Sequence, residues 1–197
     1  MPDVVAVILS GGRSSRMGSN KAHVEVAGRP MSAWVADALP ASAQVVVAGH
    51  TPVGSHLRVD DAGGSGPLAG LAAAGRARFD SPASAWLVVA IDQPWLRRRT
   101  LQAIVDRFEE RAVVPIADAR RQVTCALYPM DLVQRAGDLA ASGIGLQALL
   151  RDAAVDEILS AEWKEWGEDG RSWFSVDTPE DIERGLDRFG PPGEEPA

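Results

Sequence analysis

The sequence predicts an α/β domain, a single-domain three-layer αβα sandwich whose mainly parallel sheet is covered by helices on both faces. Two observations carry this. Valine-rich apolar runs recur along the chain, and stretches with helical periodicity separate them, as when strands are joined by crossover helices. At 197 residues, with 46% hydrophobic and 24% charged residues, the chain can also bury one substantial core, and nothing in its composition demands a second.

Taken in order, strands are expected near Val4–Leu9, Gln44–Ala48, Leu57–Val59, Trp86–Ile91, Val113–Ile116 and Val123–Tyr128. Helices are expected near Met31–Leu39, Leu68–Arg78, Arg98–Glu110, Met130–Ala140, Ile144–Arg151 and Pro179–Arg188. The last helix has the best-marked start. Thr178 offers a capping hydroxyl, Pro179 suits the first helical position, and Glu180 and Asp181 place acids in the first turn. Residues 152–173 carry weak periodicity and three tryptophans, Trp163, Trp166 and Trp173, so their structure stays open, with core the favoured place for the indoles. The stretch 190–197, with three prolines and two glutamates, reads as a disordered tail to a domain over 1–189.

Composition also excludes. No apolar run approaches the roughly 18 residues of a membrane span. The N-terminus lacks a basic n-region, which predicts a cytoplasmic protein. A lone cysteine, Cys125, rules out an internal disulfide framework and a cysteine-based zinc site, and suits a small buried hydrophobe. The net charge of −7 argues against nucleic-acid binding. One loop departs from that balance, holding Arg13, Arg16 and Lys21 and no acid.

That loop follows the first strand directly, and in open parallel sheets ligands bind beyond the carboxyl ends of strands. Gly11, Gly12 and Gly18 let backbone amides approach phosphate oxygens closely, while the three cations neutralise a triphosphate. A basic surface loop is the plainer alternative. Neither the P-loop spacing nor the dinucleotide G-x-G-x-x-G spacing is present, so a third type of nucleotide loop is required. The strand ending at Ile91 runs straight into Asp92, a carboxylate facing the same crevice and suited to magnesium.

Leu9-Ser10-Gly11-Gly12-Arg13-Ser14-Ser15-Arg16-Met17-Gly18, followed by Lys21, resembles the signature of the molybdenum cofactor guanylyltransferase family of nucleotidyltransferases, L-A-G-G-x-S-x-R-M-G-x-D-K. Gly66-Pro67-Leu68-Ala69-Gly70 is similar to that family's G-P-L-A-G, Asp92-Gln93-Pro94-Trp95-Leu96 to D-x-P-x-L, Cys125-Ala126-Leu127-Tyr128 to its A-L segment, and Val176-Asp177-Thr178-Pro179-Glu180-Asp181 to N-T-P-E-D/E. Ser10 stands for the usual alanine, Asn20 for an aspartate, and Asp177 for a frequent asparagine. Val123-Thr124 lacks the proline often found before the A-L segment, which touches acceptor recognition more than nucleotide binding.

The resemblance implies a Rossmann-like fold of the nucleotide-diphospho-sugar transferase type. It implies transfer of GMP from GTP to molybdenum-loaded molybdopterin, with molybdoenzymes or other cofactor-biosynthesis proteins as partners. The expected nucleotide contacts are Leu9, Ser10, Gly11, Gly12, Arg13, Lys21, Asp61, Gly66, Pro67, Leu68 and Asp92. Lys21, Arg16 and Asp92 are the expected catalytic groups, with Asp92 and more weakly Asp177 holding Mg2+. Asp61 could pair with guanine donors or with a ribose hydroxyl. Gly12 favours GTP, because a second glycine in the L-x-G-G form goes with guanylyl transfer in the resembling superfamily, whereas L-A-A-G goes with cytidylyl transfer.

The acceptor phosphate is already mostly a dianion at neutral pH, so no protein base is needed, in keeping with three scattered histidines, His23, His50 and His56. Two alternatives are a cytidylyl- or sugar-phosphate nucleotidyltransferase with the same loop, and a non-catalytic protein that delivers cofactor through its tryptophan-bearing region.

Overall fold

The computed structural model describes residues 2–11, 21–60, 66–79 and 81–193. Strand β1 (Val4–Leu9) is buried along its whole length. A hairpin of β2 (Glu25–Val26) and β3 (Arg29–Pro30) leads into helix α1 (Met31–Ala38), its two-residue turn taking positive φ at Ala27 and Gly28, the twist that suits a tight hairpin. Next come β4 (Gln44–Ala48), β5 (Leu57–Val59), α2 (Pro67–Gly75), β6 (Ala85–Ala90) and α3 (Arg98–Asp106). The chain continues through β7 (Ala112–Ala117), β8 (Arg120–Arg121), β9 (Cys125–Pro129), α4 (Met130–Leu139), β10 (Val155–Ile158), α5 (Ser160–Glu165) and α6 (Pro179–Phe189).

The main sheet has the order β10-β7-β9-β6-β1-β4-β5, with β8 on β7. β1 pairs in parallel with β4 and β6, β4 with β5, and β10 with β7. β9 enters antiparallel between β6 and β7, so the sheet is mixed but mostly parallel. Side chains alternate across it. Ala6 and Ile8 join Val35 of α1, Leu101 and Ile104 of α3 and Trp163 of α5 in one core. Val5, Val7 and Leu9 join Leu68 and Leu71 of α2 and Leu132 and Val133 of α4 in the other. Three layers, with a core on each face of the sheet, follow from that alternation, as the apolar runs predict, and a smaller third cluster joins Val26, Met31, Trp95, Val176 and Phe189.

Several elements differ from expectation for local reasons. The helix expected at Ile144–Arg151 is a 3-10 turn at Leu146–Leu150, entered after Gly143 in the left-handed region. α2 stops at Gly75, where a Cβ would lie 2.5 Å from the Val133 side chain. The open stretch 152–173 contains β10, α5 and a 3-10 turn at Arg171–Trp173. Trp163 and Trp173 are buried there, edge to face at 6.0 Å, and Trp163 Nε1 donates to the Ile116 carbonyl at 2.9 Å. Beyond α6, Trp95 Nε1 donates to the Gly190 carbonyl at 2.8 Å and Gly193 lies beside Trp34, while 194–197 fall outside the described residues. Cys125 is fully buried, and burial pushes its thiol far above the ordinary value, which fits an inert core role.

Candidate active site

β1 is where the chain reverses direction across the sheet, pairing first with β4 and later with β6 on its other edge. A crevice therefore opens beyond its carboxyl end. Ser10 is buried there, its N–H donating to the Ala48 carbonyl at 2.8 Å and its Oγ to the same oxygen at 3.3 Å. The serine that replaces the usual alanine thus fastens the start of the loop to β4.

Gly49 follows at the end of β4 with φ of 129°, and a Cβ on it would sit 2.4 Å from the Gly11 nitrogen. Only glycine permits that approach. Sequence reasoning passed over Gly49. Its signal is a glycine closing an apolar strand beside the strand that carries the loop.

α2 begins over the same end of β1. Gly70 in its first turn faces Leu9, with room for a Cβ only 2.7 Å from the Leu9 side chain. Gly66 takes φ of 86°, Pro67 follows at the helix start, and no side chain among the described residues caps the first turn, where unpaired amides suit an anion. The start of α2 thus packs over the carboxyl ends of β1 and β4, where Gly70 meets Leu9 and Ala48.

Lys21 opens a 3-10 turn, and its ammonium donates to Asp92 Oδ2 at 3.0 Å and to Asp177 Oδ1 at 2.5 Å. Asp92 comes two residues after β6 ends, and Asp177 directly precedes the Thr178 cap of α6. The Val176 N–H donates to the Asp92 carbonyl at 2.8 Å, which ties the two acid-bearing loops together. Asp181 fixes the second loop, its carboxylate accepting from the N–H groups of Asp177 and Thr178 at 2.9 and 2.8 Å. Burial of Lys21 favours its neutral form, but the charges and hydrogen bonds of Asp92 and Asp177 outweigh this and hold its pKa above the ordinary value. Lys21 is thus a cation throughout the physiological range.

The donor set fits magnesium. Two carboxylates meet at one point, and this ion usually takes only one or two of them beside phosphate oxygens and water. Among the described residues no cluster of three acids, histidines or cysteines forms a complete protein cage.

Of the expected site residues, Gly12, Arg13, Arg16 and Asp61 lie outside the described residues. Asp60 is engaged with Arg58 at 2.8 Å on the surface. His23, His50 and His56 are all exposed.

Residues 6–158 match the family model described as MobA-like NTP transferase domain. A protein of Natronomonas pharaonis named "Probable molybdenum cofactor guanylyltransferase" is 30% identical over 205 residues, covering 96% of this chain and all of that relative. The fold is similar to the crystal structure of molybdopterin-guanine dinucleotide biosynthesis protein A from Archaeoglobus fulgidus, with a TM-score of 0.77 and 21% identity over 92% of this chain and 96% of that one. It is also similar to 4-diphosphocytidyl-2C-methyl-D-erythritolsynthase of Anaerococcus prevotii, at TM-score 0.69 and 16% identity over 93% and 94% of the two chains.

Proposed function

For a chain that belongs to the family of MobA-like NTP transferase domains, we propose transfer of GMP from GTP to molybdenum-loaded molybdopterin, giving the guanine dinucleotide form of the cofactor and pyrophosphate. The observation that carries this reading is the Lys21 ammonium held between Asp92 and Asp177 beside the glycine-bearing end of β1. The curated relative's name points to the same nucleotide and acceptor.

In this mechanism an oxygen of the acceptor phosphate attacks the α-phosphorus of GTP, forming a phosphoanhydride bond as the bond to the β-phosphate oxygen breaks. The acceptor is mostly dianionic at neutral pH, so the chain supplies no general base. Its work is placement and neutralisation of charge. Amides around Gly11 and at the start of α2 would cradle the phosphates, Arg13 and Arg16 would add guanidinium forks, and Lys21 would turn from its carboxylates to the triphosphate. Asp92, aided by Asp177, would hold a magnesium ion, which supplies positive charge to the phosphate oxygens. Asp61 would contact the base or ribose, and Gly12 would leave room for a purine.

The test is pyrophosphate release from GTP, CTP, ATP and UTP in the presence of magnesium and molybdenum-loaded molybdopterin. Release with GTP alone supports the proposal. Preference for CTP would favour a cytidylyltransferase, a reading that the diphosphocytidyl-synthase fold neighbour keeps in view. No release from any triphosphate, with GTP still bound, would favour a cofactor-delivery protein.

A further inference from the structure

One polar side chain next to Asp92 is buried with its amide donor unused. Gln93 is 3% exposed, and its backbone N–H donates to the Ala90 carbonyl at 3.3 Å, so the chain turns sharply as it leaves β6. The side chain folds back over that turn, where its Oε1 accepts from the Ala90 N–H at 3.4 Å. This bond fixes the side of the sheet on which the amide lies. The Ile91 N–H donates to Leu9 of β1, so the N–H of Ala90, one residue earlier, faces the other neighbour, β9. β9 begins only at Cys125, opposite Val89, and Thr124 is already in a turn. Gln93 Oε1 thus takes the place that a longer β9 would have given to a backbone carbonyl.

With Oε1 engaged, Nε2 remains. It donates to no group among the described residues. The unpartnered side-chain atoms that are sealed from solvent belong to Trp86, Arg97 and Trp173, so the Gln93 amide, also unpartnered, keeps access to solvent at the carboxyl end of β6. A side chain this buried with two N–H bonds unmade costs stability, and a ligand oxygen reaching it would recover that cost.

The position of the donor decides the ligand. The end of β1 and the start of α2 lie on the β4 side of Asp92, whereas Gln93 leans to the β9 side. Transfer at phosphorus sets the attacking and leaving oxygens roughly in line, so the acceptor enters from the side away from the departing pyrophosphate. We propose that Gln93 is an acceptor-specificity residue, its Nε2 donating to a non-attacking phosphate oxygen of the incoming acceptor. The inference rests on the nucleotidyl transfer proposed above. An amide suits this task because it orients the attacking dianion without giving it a proton.

Steady-state transfer with GTP, magnesium and molybdenum-loaded molybdopterin, each substrate varied in turn, tests this beside a thermal melt of each protein. Gln93→Met keeps the length of the side chain and removes the donor. It should raise the KM for molybdopterin about tenfold while the KM for GTP stays within about twofold. Gln93→Glu keeps an oxygen for the Ala90 N–H and, in mildly alkaline buffer where the new carboxyl is ionised, sets a like charge against the acceptor phosphate. It should raise the KM for molybdopterin more than that for GTP, and it decides the matter if Gln93→Met does not fold. An unchanged KM for molybdopterin in a folded variant overturns the role. So does an equal rise for both substrates, which would mean that Gln93 only holds Asp92 in place. In either case transfer by the wild type leaves the proposed function standing, whereas a wild type that transfers from no triphosphate overturns that function and this inference with it.

Discussion

Two clusters of charged side chains lie at opposite ends of the segment 92–100, and they are built on opposite principles. At one end, Lys21 bridges Asp92 and Asp177, and the Asp177 side chain is 58% exposed. At the other, Glu168 is 2% exposed and accepts four hydrogen bonds, from the Thr100 and Ser172 hydroxyls at 2.6 and 2.7 Å and from the N–H groups of Gly170 and Ser172 at 2.8 and 3.2 Å. The second cluster is saturated and sealed, so it can only hold the Arg171–Trp173 turn against α3. The first consists of charges that can exchange partners with a ligand. Residue type does not separate the two, whereas saturation and access do.

Lys21→Ala breaks the comparison most sharply if it fails. Loss of a cation that neutralises a reacting triphosphate should lower nucleotidyl transfer by at least about a hundredfold. Because the ion pair is partly open to water, the melting temperature should move little. Pyrophosphate release together with a thermal melt reads both, and near-normal turnover would remove Lys21 from the site. Glu168→Ala should do the reverse. Four donors would lose their acceptor in a dry environment, which should destabilise the fold by about 3 kcal/mol, measured by denaturant unfolding. The folded fraction should keep its transfer rate. A specific loss of catalysis there would mean the two clusters are not functionally separate.

The open cluster was legible in the sequence and the sealed one was not, for a physical reason. Lys21, Asp92 and Asp177 each sit beside a local signal: a glycine-rich loop, a buried strand ending in an acid, and a helix cap with proline behind it. The apolar runs placed β1, β4 and β5 at their observed bounds, from within the sheet out to its β5 edge. The Glu168 network has no such local sign, because its partners are brought together across 68 residues by packing of α3 on the 3-10 turn. β10 was missed likewise, since its four residues include Asp156 and Glu157 and give no apolar run.

Gly49 joins the two kinds of evidence, being structural in itself yet pressed against the loop. Gly49→Ala should cost about 1–3 kcal/mol, from a crowded Cβ and a backbone angle unfavourable to alanine. The displaced Gly11 should also raise the KM for the triphosphate more than it lowers kcat, if the loop binds ground state and transition state alike. A stability loss with unchanged KM would show that Gly11 does not contact the nucleotide.

The smallest expected effect lies within the open cluster and depends on pH. Burial alone would raise the Asp181 carboxyl, but the N–H groups of Asp177 and Thr178, the Thr178 hydroxyl and Arg184 together hold it below the usual carboxylate range. A folded pKa below the unfolded value of about 3.8 contributes stability above that value and loses it as pH falls through the lower, folded one. Lys21 has the opposite sign. Its raised pKa contributes fully below 10.5 and is lost only as pH rises through the higher folded value. Asp181→Asn should therefore cost about 1 kcal/mol at neutral pH, where the capping carboxylate is charged, and progressively less as acid removes that charge from the wild type. Denaturant unfolding of both proteins from pH 7 down to about 3 measures the difference. Parallel stability curves would show that the charge of Asp181 does not hold the loop that presents Asp177 to Lys21.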